Sequence, residues 1–99
     1  NKKMLVLITY DVATSDNKGQ KRLRKIAKEC QNYGQRVQNS VFECEVTYAQ
    51  YVVLKNSLDS IIDNSADSIR FYLLGNHWEG KVEHIGIDNS FNFNADLII

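Results

Sequence analysis

The residues of this sequence that could do chemistry begin with an aspartate at the end of an apolar segment. Residues 5–8 form a continuous β-prone run, which is typical of a buried strand, and Asp11 comes where that strand should end. Strand ends often carry functional side chains, because the sheet is rigid and the following loop leaves room for a substrate. A carboxylate there could hold a metal ion. The alternative is a turn aspartate that only makes backbone hydrogen bonds.

Basic residues are concentrated in the segment that follows. Residues 1–36 contain nine Lys and Arg and three Asp and Glu, whereas residues 37–99 contain three Lys and Arg and nine Asp and Glu. The net charge of the chain is zero, but these two parts carry +6 and −6. Half of the cations lie between Lys18 and Lys28. This pattern favours binding to nucleic-acid phosphates without base recognition, although a solvated helix face is the alternative. We assign six residues to nucleic-acid binding: Lys18, Lys21, Arg22, Arg24, Lys25 and Arg36.

The basic segment itself predicts a helix. A polar loop rich in turn formers precedes it, and Ser15 or Asp16 could cap its first turn. Apolar residues recur at helical spacing to about Tyr33, and Gly34 is a natural helix end. The apolar stripe comprises Leu23, Ile26, Ala27, Cys30 and Tyr33.

Two further strands and a second helix follow. Residues 35–46 alternate between polar and apolar types, which predicts two short strands with a turn at Asn39 and Ser40, or alternatively one bent strand. Thr47 could cap a second helix that ends near Asn64. The apolar stripe of that helix comprises Tyr51, Leu54, Leu58, Ile61 and Ile62.

The rest of the chain completes one domain. Residues 67–74 predict another strand, and residues 82–87 a short C-terminal edge strand. The order β-α-β-β-α-β predicts an α+β, ferredoxin-like fold, with an antiparallel sheet and both helices on one face. We therefore treat residues 1–99 as one domain, with a core at about 4–75 and a C-terminal strand and tail at about 76–99. The apolar end of the tail is expected to pack on a neighbouring surface, such as a second subunit.

Composition argues against several classes of protein. No apolar stretch approaches the ~20 residues needed to cross a bilayer, and the N-terminal segment is unlike a signal peptide, so we expect a cytoplasmic protein without membrane contact. Cys30 and Cys44 lack the CxxC spacing and the nearby histidine that zinc or redox sites need. We interpret both as small buried hydrophobic residues.

Over nearly its whole length, the sequence resembles the small CRISPR-associated protein 2 family. The resemblance rests on four segments, which are YDV after the first strand, KRLRKIAKEC in the basic helix, YGQRVQNSVFECEVT, and IRFYLLG in the fourth strand. It implies a homodimer with the two sheets packed face to face and one Asp11 from each subunit facing the two-fold axis. It also implies a divalent ion between these carboxylates, usually Mg²⁺, for which Mn²⁺ could substitute.

The resemblance also places Tyr10 and Phe42 near the site, although aromatic residues in strands are more often part of a core. We place Ser40 near the site as well, where it could hydrogen-bond a phosphate or simply make the turn. His77 and His84 are distant in sequence from the motif residues, so we interpret them as ordinary surface histidines. Glu43 and Glu45 should point away from the core, and we interpret them as solvated.

Two kinds of function remain open. The first is a magnesium-dependent endonuclease that hydrolyses phosphodiester bonds of RNA or double-stranded DNA, with Asp11 holding the ion and the basic helix holding the backbone. The second is a scaffold that bridges copies of the integrase CRISPR-associated protein 1 during spacer acquisition, without Asp11 chemistry. A toxin-type ribonuclease of related fold is a further alternative. RNA-recognition modules and metallochaperones fit worse, because the aromatic strand motif of the former and the CxxC motif of the latter are absent.

Overall fold

The order of helices and strands confirms the ferredoxin-like prediction. A computed structural model describes residues 2–74 and 81–87 of the chain. The described elements are β1 (Lys3–Asp11), α1 (Asn17–Gln31), β2 (Gly34–Gln38), β3 (Val41–Thr47), α2 (Tyr48–Ile61), β4 (Ser68–Leu74) and β5 (Lys81–Gly86). The strands form one antiparallel sheet in the order β2-β3-β1-β4-β5, so β5 is the predicted edge strand.

The sheet has one face covered by helices and one that no described element covers. Along β1, Val6, Ile8 and Tyr10 are buried and join one core cluster with the apolar stripes of both helices. Leu5 and Leu7 alternate with them and stay partly exposed on the other side, because successive residues of a strand point to opposite faces. We call this second side the open face. By register and alternation its residues on the four strands β1, β3, β4 and β5 are Lys3, Leu5, Leu7, Thr9 and Asp11 of β1, Val41, Glu43, Glu45 and Thr47 of β3, Ser68, Arg70, Tyr72 and Leu74 of β4, and Val82, His84 and Gly86 of β5.

Helix caps fix where the helices begin. The Asp16 side chain accepts a hydrogen bond from the Gly19 N–H, so Asp16 is the cap of α1. Thr47 and Gln50 form a reciprocal capping box at the start of α2. Both predicted starts are confirmed.

The helices end earlier than the sequence predicts. α1 ends at Gln31 rather than Tyr33, and α2 at Ile61 rather than Asn64. Ile62 already has extended dihedral angles, and the Asp63 N–H that follows it bonds to the Asp67 side chain instead of a helical carbonyl. Tertiary hydrogen bonding therefore ends α2 before the apolar periodicity does.

The tract after α1 forms two strands, which excludes the single bent strand. The turn lies at Asn39 and Ser40, as predicted. Gly34 is the first residue of β2 and not the helix end, and a Cβ on it would lie 2.1 Å from the Glu43 carbonyl oxygen. Gly34 is therefore required by the close approach of β2 to β3.

The last described strand is joined to the helix layer. The Tyr51 hydroxyl and the Lys55 ammonium group, both on α2, donate hydrogen bonds to the Glu83 carboxylate of β5. The predicted tail, His77 and the rest of residues 75–80 and 88–99 lie outside the described residues. The predicted position of the tail at a dimer interface stays a prediction.

Gly19 offers a test of how tightly the loop between β1 and α1 packs on its helix. In an exposed helix, Gly→Ala stabilises by about 1 kcal/mol. A Cβ on Gly19 would lie 1.8 Å from the Ala13 carbonyl oxygen, so we expect Gly19→Ala to destabilise by about 1–3 kcal/mol. Urea denaturation measures this, with Gln20→Ala at an exposed neighbouring position as the control. A Gly19→Ala protein as stable as the control would contradict this packing.

Candidate metal and phosphate site at the end of β1

Asp11 is an exposed carboxylate at the rigid end of a central strand. It lies on the open face, and within the described residues its side chain makes no hydrogen bond or ion pair. Ser68 is its direct partner on β4. On the other side, the Tyr10 N–H donates to the Ser40 carbonyl oxygen at 3.1 Å, so the β2–β3 turn holds the end of β1. The carboxylate is thus fixed by backbone contacts and left available for a ligand.

The loop that follows Asp11 is held by a buried carboxylate that the sequence analysis missed. Asp67 is fully buried, and its carboxylate oxygens accept four hydrogen bonds. The Ala13 N–H donates at 3.0 Å and the Asp63 N–H at 2.9 Å. The Arg22 guanidinium donates through Nε at 2.7 Å and Nη2 at 3.3 Å. We call these four bonds the Asp67 anchor. It joins the β1–α1 loop, α1 and the α2–β4 turn at one point.

The charge state of the Asp67 anchor follows from these donors. Burial on its own would raise the pKa of the Asp67 carboxyl. The hydrogen bonds from Arg22, Asp63 and Ala13 outweigh burial, so the pKa of Asp67 is lowered and the group is ionised at neutral pH. The Asp67 hydrogen bond also raises the pKa of the partly exposed Arg22.

A histidine also lies on the open face near Asp11. The His84 Nε2 atom and the Ser68 Oγ atom are 3.0 Å apart, which joins β5 to the residue directly across from Asp11. Arg70 lies directly across from both Thr9 and His84. The sequence analysis treated His84 as an ordinary surface residue, because only the strand order brings β5 beside β4 and close to β1.

Tyr10, Phe42 and Arg36 do not share the face of Asp11. The Tyr10 and Phe42 rings are buried on the helix side, with their centroids 6.1 Å apart. The Arg36 guanidinium lies 5.3 Å from the Phe42 ring centroid, which is a cation–π contact. The Tyr10 and Phe42 side chains therefore lie on the opposite face of the sheet from the Asp11 side chain. The contribution of Tyr10 and Ser40 to the site is the backbone hydrogen bond that joins them, which holds the end of β1 next to Asp11.

The predicted nucleic-acid-binding residues of α1 lie partly in one groove. Lys18, Lys21, Arg22 and Lys25 line it together with the C-terminal end of α2, which contributes Ser60 and Ile61. Arg24 is exposed outside this lining. Because the loop after Asp11 leads directly into α1, the groove begins at the Asp11 end of the sheet and runs away from it.

Arg22 has a role that its sequence context did not indicate. Two of its guanidinium nitrogens bind Asp67, and its side chain is only 20% exposed. We therefore assign Arg22 to the Asp67 anchor, and the exposed lysines of the groove remain the predicted phosphate ligands.

The cysteines are confirmed as buried core residues. Cys30 and Cys44 are fully buried and free of disulfides. Burial raises the pKa of the Cys30 thiol to about 12 and that of Cys44 to about 11. Neither thiol is ionised at neutral pH, which removes them as nucleophiles.

A single chain supplies few metal ligands at this site. Among the described residues, no three His, Cys, Asp or Glu side chains are grouped so that they could hold a metal ion. Mg²⁺ retains several waters and takes one or two carboxylates plus phosphate oxygens. Asp11 therefore fits as one ligand of such an ion, with the others coming from a substrate or a second chain.

The fold and the site together define a class of protein. It is a ferredoxin-like α+β protein whose described residues leave one sheet face uncovered and the carboxylate at the end of β1 unpaired, with a cationic groove that starts beside that carboxylate. A family model described as "CRISPR associated protein Cas2" matches residues 4–82. The chain belongs to this family, which confirms the resemblance seen in its motifs.

Similar proteins span the same length. The chain is 61% identical over 95 residues to the "CRISPR-associated endonuclease Cas2" of Halalkalibacterium halodurans, covering 96% of this chain and 99% of that protein. It is 54% identical over 96 residues to the "CRISPR-associated endoribonuclease Cas2" of Chlorobaculum tepidum, covering 97% and 100%. The crystal structure of Streptococcus pyogenes Cas2 at pH 6.5 aligns with a TM-score of 0.70 and 63% identity, covering 76% and 90%.

Membrane insertion through a helix has no support in the part of the chain that the structure describes. Neither α1 nor α2 is both long and apolar enough to cross a bilayer.

Removal of the Asp67 charge tests the anchor. We expect Asp67→Asn to destabilise by about 3 kcal/mol at pH 7, the lower end of the range for a broken buried ion pair, because Arg22 is partly exposed. The lowered pKa of Asp67 stabilises the fold above the unfolded pKa of about 3.9, and this contribution is lost as pH falls through the folded pKa. The difference between the two proteins should therefore shrink below about pH 4.

Urea denaturation at pH 7 and in acid measures both effects. Asp59→Asn, at an exposed position of α2, is the matched control and should differ little from wild type at either pH. An Asp67→Asn protein that matches this control at pH 7 would show that the anchor does not stabilise the fold.

Proposed function

We propose that this protein is a divalent-metal-dependent endonuclease of the CRISPR system, active as a homodimer on RNA or double-stranded DNA. One observation carries the proposal. Asp11 is an exposed carboxylate on a rigid strand end, without a partner among residues 2–74 and 81–87, at the same end of the fold where the cationic groove begins. The names of the relatives, endonuclease in one case and endoribonuclease in the other, support phosphodiester hydrolysis.

The open face supports the homodimer. Leu5, Leu7 and Leu74 lie on it, and no described helix or strand covers them. Two copies packed through this face would bury these side chains and bring two Asp11 residues to one interface. The second carboxylate that a single chain lacks would then come from the partner subunit.

Each residue of the site has a role that follows from its position. Asp11 would hold Mg²⁺, or Mn²⁺ in its place, and Lys18, Lys21 and Lys25 would hold the nucleic-acid backbone. When bound, the ion would neutralise charge on the phosphate and lower the pKa of a bound water. The Asp67 anchor fixes the loop between these two groups of residues, so that backbone bound at the lysines is presented to Asp11.

The spacing of the lysines suits a phosphate backbone. Lys18 and Lys25 are separated by about 10 Å along the helix axis, over which one strand of duplex DNA presents about three phosphates. The lysines line a groove and not a base-reading surface, so binding should tolerate different sequences.

A scaffold is the second candidate function. The cationic groove supports it, because nucleic acid could be held there without any use of Asp11. In that case the dimer would bridge copies of the integrase, CRISPR-associated protein 1, and position DNA for insertion.

The Asp11 side chain distinguishes the two functions. We expect Asp11→Ala to abolish magnesium-dependent cleavage of labelled duplex DNA or RNA, because Asp11 is the carboxylate that the described strands place on the open face at this end of the sheet. Binding should change less than twofold, since the groove is intact. Asp59→Ala, which removes an exposed carboxylate from α2, is the control and should retain wild-type cleavage.

Each outcome of this experiment has one meaning. Loss of cleavage in Asp11→Ala alone supports the nuclease. Binding by all three proteins without cleavage by any of them supports the scaffold. Equal cleavage by wild type and Asp11→Ala would exclude Asp11 as the metal ligand.

The salt dependence of binding tests the groove. Each phosphate contact contributes about 0.9 to the slope of log K against log salt on duplex DNA. We expect the triple variant Lys18→Gln, Lys21→Gln, Lys25→Gln to reduce that slope by about 2–3. The control is Lys2→Gln with Lys3→Gln, at the opposite end of β1, which should leave the slope within about 0.5 of wild type. Equal slopes for the two variants would place the phosphates elsewhere.

A further inference from the structure

We propose that the divalent ion controls assembly of the dimer as well as cleavage, because the two Asp11 carboxylates oppose association until an ion is bound between them. The inference rests on the proposed function and adds a regulatory property to the same site. It starts from the position of Asp11 on the open face, where the side chain is exposed and has no hydrogen-bond or ion-pair partner among residues 2–74 and 81–87.

The described strands of one chain place no second carboxylate close to Asp11. The other acidic residues of the open face on these strands are Glu43 and Glu45, which lie across from Leu7 and Leu5 of β1. Those two positions are about 13 and 20 Å from Asp11 along the strand, at about 3.3 Å per residue. The described part of the chain also contains no group of three His, Cys, Asp or Glu side chains that could hold an ion. Outside the described residues of its own chain, the nearest source of a second carboxylate is the Asp11 of another copy.

Association of two open faces is favoured by apolar area and opposed by charge at Asp11. Leu5, Leu7 and Leu74 lie on the open face and would leave water when two copies pack through it. Two ionised Asp11 side chains that face each other repel, and the repulsion increases as the interface excludes water. Asp11 is not a member of either ion pair between described residues, so no salt bridge there offsets the repulsion.

An ion bound between the two carboxylates converts this repulsion into attraction. Mg²⁺ takes one or two carboxylates and keeps several waters, so a site shared by two subunits suits it. An ion that binds the dimer and not the monomer strengthens association by a factor of one plus the ion concentration divided by its dissociation constant. The linkage is reciprocal, so dimer formation raises the affinity for the ion to the same extent. The protein would then complete its active site only where divalent ions are available.

Sedimentation measures this linkage without turnover. We expect the dimer dissociation constant of the wild type to fall about tenfold between chelator and a Mg²⁺ concentration about ten times the dissociation constant of the ion. KCl at the same ionic strength should change it less than about threefold, which separates ion binding from general screening. For a dimer too tight for sedimentation, the exchange rate of fluorescently labelled subunits should fall by about the same factor as the dissociation constant.

Asp11→Asn isolates the charge, because it keeps the size of the side chain. In chelator we expect its dimer to be at least about fivefold tighter than that of wild type, which is the effect of two unit charges about 4 Å apart in water. Its dissociation constant should not respond to Mg²⁺. Glu45→Gln is the matched control, because it removes one carboxylate from an exposed position of the same face and should keep the full response to Mg²⁺.

The outcomes separate this proposal from the function on which it rests. If Asp11→Ala still cleaves, the proposed function fails. If Asp11→Ala is inactive while the wild-type dimer is equally tight in chelator and in Mg²⁺, the nuclease stands and the ion does not control assembly. A response to Mg²⁺ that persists in Asp11→Asn would place the ion elsewhere, and a chain that stays monomeric in Mg²⁺ would have no shared site. Either result overturns the proposal.

Discussion

The candidate site depends on one buried carboxylate. A charge removed from water is costly unless donors surround it, and Asp67 is surrounded by donors from the β1–α1 loop, α1 and the α2–β4 turn. The same residue accepts the Ile87 N–H through its carbonyl oxygen, which brings the end of β5 to this point. The β1–α1 loop, α1 and the end of β5 are therefore joined to the α2–β4 turn at a single residue, and the loop that follows Asp11 cannot move without breaking these bonds.

The alternation of the strands divides the chemistry between the two sides of the sheet. Asp11 and His84 lie on the open face, whereas Tyr10 and Phe42 pack into the core on the helix side. The lysines of the groove belong to the helix layer, and they reach the Asp11 edge because α1 begins directly after the loop that Asp67 holds. The proposed metal ligand and the proposed phosphate ligands thus lie on different layers that meet at one edge of the fold.

Much of the fold could be predicted from local patterns. Caps at Asp16 and Thr47, the turn at Asn39 and Ser40, and the edge strand β5 are all where the sequence indicates. The predictions for the end of α2 and for Gly34 were wrong because a tertiary contact outweighed the local sequence signal there. Apolar periodicity continues past Ile61, but the Asp67 side chain takes the Asp63 N–H, so the helix ends. Gly34 resembles a helix stop, but it is needed because β2 passes close to β3.

For the site, the sequence by itself determined the residue types: a carboxylate after an apolar strand, a cationic helix next to it, and two cysteines without partners. The periodicity of the apolar residues also indicated which side chains form the core. Only the tertiary structure decided which of the cations of α1 are free to bind a phosphate. The sequence does not distinguish Arg22 from the lysines, whereas the structure pairs Arg22 with Asp67. The tertiary structure also brought His84 and Ser68 to the face of Asp11. Strand order and register depend on contacts between residues far apart in the chain, which local periodicity cannot encode.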